Sequence, residues 1–259
     1  MRTALHRDTY EVLDAVAYEK AYGKRVDQWG NPRARPSALC EVCRQDVFLR
    51  AELSSRRDAN FSHFDNGPFC PVKAFNADAY RALRPAPHNP EAAARLSRDF
   101  FATWRYHWAE FDRIIGYGNI FDFAAVLSYA NQNGIWDYRG MQVQDVLPVL
   151  LALMDFPPLR KDKRHLRDYG IRFFYTGSVA NTGQYWNLPQ HERSLTMVKY
   201  EFPGRTTTFQ EDNISSKDLV VFDAEYVAGQ FNADVDVQPQ VHPFTLKIMT
   251  EKFGDQLAN

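Results

Sequence analysis

Cys40-Glu-Val-Cys43 is a Cys-x2-Cys pair, and His63 and then Cys70 follow it in the chain. Two thiolates at that spacing reach one ion from a single tight turn. The later imidazole and third thiolate complete a tetrahedral set for Zn²⁺. No other cysteine occurs in the chain. Asn66-Gly67-Pro68 supplies turn residues before Cys70, and Phe61, Phe64 and Phe69 can form an apolar shell around the later ligands. His6 and His88 are alternative fourth ligands, but neither lies between the cysteines. A closed set of four leaves no position for substrate, so the expected ion is structural and contributes folding free energy.

The ligand region is locally basic. Arg33, Arg35, Arg44, Arg50, Arg56 and Arg57 surround the cysteine pair. A second cluster, Arg160, Lys161, Lys163, Arg164 and Arg167, follows the apolar segment that ends near Pro158. Guanidinium forks pair with phosphates in two-point fashion, and such binding weakens steeply with salt. Both clusters are therefore candidate nucleic-acid contacts, although a charge run is more often a solvated face. Phe173, Phe174, Tyr175, Tyr185 and Trp186 could stack on unpaired bases, but their strand-like setting favours a core role.

Carboxylates offer one catalytic alternative. Asp223 and Glu225, at the end of the apolar strand Leu219 to Phe222, fall on one side because side chains alternate, and Glu201 on the preceding strand could join them around Mg²⁺. Asp234 and Asp236 form an equally unspecific pair. No phosphate-binding glycine loop, nucleophile elbow or His-Glu-x-x-His pair is present. His107 falls on the flank of an apolar helix face, where hydrogen-bonded packing is the expected role. The chain reads as a binding or assembly protein more than as an enzyme.

Three regions must position these residues. Residues 1–85 read as a β-rich zinc module, with strands expected in 9–18 and 46–53. Residues 86–158 read as helical. Asn89 and Pro90 suit a helix start. Leu96, Phe100, Trp104, Trp108, Phe111 and Ile115 trace one face of a single helix ending at Gly116. Further helices are expected from Asn119 to Asn133 and from about Gln144 to Asp155, with Pro148 near the first turn of the latter. Residues 159–259 read as β-rich and able to join 86–158 in one domain. Strands are expected at 172–176, 195–202, 219–226 and 244–249. The expected fold class is α+β.

Composition fits this reading. The chain has 259 residues, 45% of them hydrophobic and 24% charged, with a formal net charge of -1. No global attraction to nucleic acid follows from that charge. The longest apolar run, Val146 to Met154, is too short to span a bilayer, and the first residues do not form a secretory signal. An odd number of cysteines fits a reducing compartment, so a cytoplasmic location is expected.

The order Cys-x-x-Cys, strand, Phe61-Ser-His63-Phe64 and then Cys70 resembles the N-terminal zinc domain of the competence protein CoiA family. The resemblance covers about residues 1–75. It implies that Cys40, Cys43, His63 and Cys70 hold zinc in a module that works on DNA. It also implies a setting in bacterial defence, competence or mobile elements, with nucleic acid and a protein partner. That family continues into a restriction-endonuclease-like domain with a Glu-x-Gln strand. Here the corresponding stretch, 86–158, is helical and aromatic.

Overall fold

A computed structural model of the chain describes residues 3–40, 45–54, 58–64, 89–116, 118–138, 140–161, 164–175, 185, 188–189, 193–201 and 213–257. Seven α-helices and two larger antiparallel sheets among them make this an α+β protein. The described residues fall into two units, one within 3–64 and one within 89–257. The helical and C-terminal regions thus share one unit. Among the described residues, no helix is long and apolar enough to cross a membrane.

The first unit is a five-stranded antiparallel sheet with one helix. Its strands are β1 (Thr3–Leu5), β2 (Val12–Asp14), β3 (Ala38–Leu39), β4 (Asp46–Arg50) and β5 (Asn60–His63), in the order β2-β1-β3-β4-β5. Helix α1 (Ala15–Tyr22) starts where Asp14 accepts a hydrogen bond from the Ala17 N–H at 2.7 Å. The expected strand over 9–18 is therefore cut short, because Asp14 caps a helix in the middle of it. Tyr18 on α1 is buried, meets the Phe61 ring edge-on at 5.5 Å, and donates to the Pro36 carbonyl at 2.6 Å.

The second unit stacks helices on a four-stranded sheet. Helices α2 (Pro90–Ala102), α3 (Trp104–Ile115), α4 (Ile120–Gln132) and α5 (Val143–Leu153) precede strand β6 (Asp155–Phe156). A hairpin, β7 (Leu159–Lys161) and β8 (Arg164–Arg167), then leads to β9 (Gly170–Tyr175), β10 (Leu195–Tyr200) and β11 (Ile214–Val220). The sheet order is β11-β10-β9-β6, all antiparallel. Helices α6 (Ala224–Val227) and α7 (Pro243–Leu257) complete the unit. The core runs through Phe123, Phe111, Phe156 and Phe173, whose neighbouring rings lie 5.3–5.9 Å apart.

Four further elements depart from expectation for local reasons. The expected strand at 219–226 ends at Val220 as the last residue of β11, because Asp223 caps helix α6 over Ala224–Val227. The long helix over 90–115 is two helices, broken at Thr103 (φ -118°, ψ 17°). Its hydroxyl donates to the Asp99 carbonyl one turn back, at 2.8 Å, a bond that bends helices. Pro148 lies beyond the first turn of α5, inside the helix. The expected strand at 244–249 is helix α7. Thr245, Ile248, Met249 and Phe253 are its buried residues, a three-to-four spacing, and Pro243 suits its first position.

Gly170 stands opposite Tyr200 in the sheet, and a Cβ there would overlap the Tyr200 ring. Gly170→Ala should therefore cost about 1–3 kcal/mol by overpacking. Gly254→Ala, in α7 with open space around it, should be neutral or stabilising by up to about 1 kcal/mol. Urea denaturation midpoints of the two variants check this contrast.

Candidate functional site

In the first unit, Ala38, Val47 and His63 form one row across three adjacent strands. Leu49 and Phe61 form the next pair on the same face, because side chains alternate along a strand. Cys40 stands two residues beyond Ala38, and its N–H donates to the Gln45 carbonyl at 2.8 Å. It therefore returns to the face of Ala38. Cys40 and His63 are both buried there, at 0% and 7% exposure. Sulfur and imidazole thus share one face and one end of the sheet, where the chain passes from β3 to β4. Cys43 and Cys70 lie outside the described residues. Among the described residues, no group of three or more His, Cys, Asp or Glu is placed to hold a metal.

The expected apolar shell is only partly formed on that face. Phe61 lies on it. Phe64 packs against Phe48 at 4.9 Å, and Phe48 pairs with Ser62 on the opposite face. Phe69 lies outside the described residues, as does His88. His6 is in the loop after β1, where its Nδ1 accepts from the Asp8 N–H at 3.2 Å and its ring stacks on Tyr22.

The basic residues divide into two sets. Arg33 and Arg50 are exposed. Arg35 is turned inward: its guanidinium donates to Glu52 at 2.6 Å and to the Gly23 carbonyl at 3.1 Å, and lies over the Tyr18 ring. Its side chain is 8% exposed. Arg44, Arg56, Arg57 and Lys163 lie outside the described residues. In the second unit, the backbone places Arg160, Lys161 and Arg164 on the β7–β8 hairpin, with Lys161 opposite Arg164. Arg167 at the base of that hairpin is buried. It donates to the carbonyls of Pro157 at 2.8 Å and Tyr169 at 3.2 Å, with Asp122 at 3.7 Å. Arg35 and Arg167 are thus turned into the fold, Arg35 on Glu52 and Arg167 on backbone carbonyls. Neither is presented to a phosphate.

The carboxylates of the nuclease alternative are not brought together. β11 ends at Val220, and Asp223 caps the helix that follows, accepting from the Glu225 N–H at 2.9 Å and the Tyr226 N–H at 3.3 Å. Glu225 is inside that helix and exposed, so strand alternation does not relate the pair. Glu201 follows Tyr200 and pairs with Asn213, whereas Asp223 follows the other end of the ladder, where Leu195 faces Val220. The length of β10, about 17–20 Å, separates them. Asp234 and Asp236 lie in a loop, where Asp234 accepts from the Asp236 N–H at 3.1 Å. Phe173, Phe174, Tyr175 and Tyr185 are buried in the core, and Trp186 lies outside the described residues.

His107 is part of a buried relay. The Thr103 hydroxyl is committed to the Asp99 carbonyl, so its oxygen accepts from His107 Nε2 at 3.2 Å. Nδ1 then accepts from the Tyr226 hydroxyl at 2.8 Å. The Phe100 ring stacks on the imidazole at 4.0 Å. Burial pushes the His107 pKa down to about 3. The ring is neutral, satisfied at both nitrogens, and serves packing.

Two buried acids escape a motif search. Glu110 takes two bonds from Arg113, at 2.6 and 2.8 Å, and one from the Asp223 N–H at 3.0 Å. Asp145 accepts from the Gln142 N–H at 3.0 Å and from Arg193 at 3.1 Å, and burial raises its pKa. The signal for Asp145 was its place in the first turn of an apolar helix. Glu110 gives no comparable signal.

No protein-family model, curated protein or solved structure matches this chain.

The His107 relay has a pH signature. An imidazole whose folded pKa lies below its unfolded value binds fewer protons folded than unfolded between about pH 3 and 6.5. Its stabilising effect is complete above that window and is lost as pH falls through it. Between pH 7 and 5, His107→Gln should remove a slope of up to about 1.4 kcal/mol per pH unit from the stability curve. Chemical denaturation at intervals across that range measures the difference between the two proteins.

Proposed function

We propose that this chain is a zinc-stabilised nucleic-acid-binding or assembly subunit, with Cys40, Cys43, His63 and Cys70 as ligands of one structural Zn²⁺. The observation that carries the reading is the placement of Cys40 and His63 on one buried face at one end of a sheet. A thiolate and an imidazole there suit a closed tetrahedral site, with a Cys-x2-Cys pair at the β3–β4 connection. The strands are only two to five residues long, so metal binding adds folding free energy where the apolar core is small.

The nucleic-acid surface in this proposal consists of Arg33, Arg44, Arg50, Arg56 and Arg57 near the zinc module. Arg160, Lys161, Lys163 and Arg164 of the β7–β8 hairpin form a second stretch. Arg35 and Arg167 are left out because both are turned inward, Arg35 onto Glu52 and Arg167 onto backbone carbonyls. The resemblance to the CoiA zinc domain supports a role in bacterial defence, competence or mobile elements, beside a protein partner. A nuclease using Asp223, Glu225 and Glu201 is not proposed, since Asp223 caps a helix and Glu201 stands at the opposite end of the β10–β11 ladder.

Elemental analysis of the purified chain should find one zinc per molecule, reduced by Cys43→Ser and by Cys70→Ser. Gel-shift titrations with DNA and RNA across a salt series should give a steep decline in affinity. Arg33→Ala and Arg50→Ala should each lower the salt slope by about one unit. Zinc without salt-sensitive retention would leave a purely structural protein-interaction subunit and remove the nucleic-acid proposal.

A further inference from the structure

A cleft of about 550 Å³ opens in the second unit. One wall is the face of α2 bearing Arg95 and Asp99. The other is built from Gln142 and Gln144 at the start of α5 and from Phe231 in the loop after α6. That volume suits an organic ligand of drug size and is far larger than a single ion requires.

The lining has a specific chemistry. Gln144 Nε2 donates to Gln142 Oε1 at 2.6 Å. The bond fixes the two amides against each other on the cleft wall, where the Gln144 amide also lies beside Gly229. Glutamine amides carry both donors and acceptors, the groups that complement a nucleobase edge, as one glutamine amide does for adenine. Phe231 is half-buried and lines the cleft, its ring held by edge-on or tilted contacts with His107 at 4.9 Å, Tyr226 at 5.1 Å and Tyr106 at 5.6 Å. A ring held this way is a stacking platform for a base. Arg95 is exposed and offers a fork of donors to a phosphate. Asp99 lies one helical turn further on and can accept from a sugar hydroxyl, a role acidic residues fill in nucleotide sites. The Thr103 hydroxyl on the same wall is already committed to the His107 relay.

We propose that this cleft binds a nucleoside phosphate, with the base against Gln142, Gln144 and Phe231 and the phosphate on Arg95. The site involves no residue of the zinc module or of the basic clusters, so it stands or falls separately from the function proposed above.

Isothermal titration of the full chain with AMP, GMP, CMP and UMP tests the site, with adenosine and inorganic phosphate as controls. At least one nucleotide should bind at micromolar concentration. The two controls should bind at least about tenfold more weakly. Arg95→Gln and Gln144→Ala should each weaken that nucleotide by about tenfold or more while leaving the circular dichroism melt unchanged. Both side chains lie at the cleft rim, outside the buried core. The inference is overturned by absence of nucleotide binding at millimolar concentration. Phosphate binding as tightly as the nucleotide, or affinity unchanged in both variants, overturns it equally.

Discussion

The inward face of the five-stranded sheet is the constraint on which the first unit depends. Ala38, Cys40, Val47, Leu49, Phe61 and His63 occupy that face, with Tyr18 of α1 packed against Phe61. Strands this short bury little apolar area, and small domains with such cores usually need a staple. Arg35 and Glu52 add to the cost, since an ion pair taken out of water repays its desolvation only when its hydrogen bonds are well made. A zinc ion held partly by Cys40 and His63 would supply the missing free energy at the end of the sheet where both converge. In the proposed role the metal would build a platform and perform no chemistry.

The second unit relies on burial. Its phenylalanine core spans helices and sheet, and polar side chains cross it in a few hydrogen-bonded sets. Tyr226, His107 and Thr103 form a directional chain that ends on a backbone carbonyl. Glu110 and Arg113 fasten α3 to the segment after β11, since Arg113 also donates to the Val221 carbonyl at 2.6 Å. Asp223 then caps α6 and so holds Tyr226 against His107. A carboxylate that looks catalytic from its spacing is here a helix cap. Its neighbours supply the reason: the carboxylate accepts two backbone N–H groups of the helix it caps.

Features that depend on short-range rules were legible in the sequence. Asn89 before Pro90 marked a helix start, and Gly116 ended one in the left-handed region. The strands at 172–176 and 195–202 were placed within two residues of β9 and β10. Features set by tertiary partners were not legible. Thr103 reads as a tolerated helix residue until its hydroxyl bonds back to Asp99. Phe244 to Met249 alternates well enough for a strand, and only the spacing to Phe253 reveals a helix. Arg35 and Arg167 look like surface cations because nothing local announces Glu52 or the Pro157 carbonyl. Likewise, Cys40 and His63 could be paired from their residue types, but their common face depends on the register of β3, β4 and β5.

Amide hydrogen exchange with and without a zinc chelator shows whether a metal holds the five-stranded sheet together. If a metal completes the inward face, chelation should strip protection from amides of Ala38–Leu39, Asp46–Arg50 and Asn60–His63. The amides of α4 and β9 should remain protected. Equal protection of the three strands in both conditions would contradict the account, because the sheet would then be held by its apolar contacts alone.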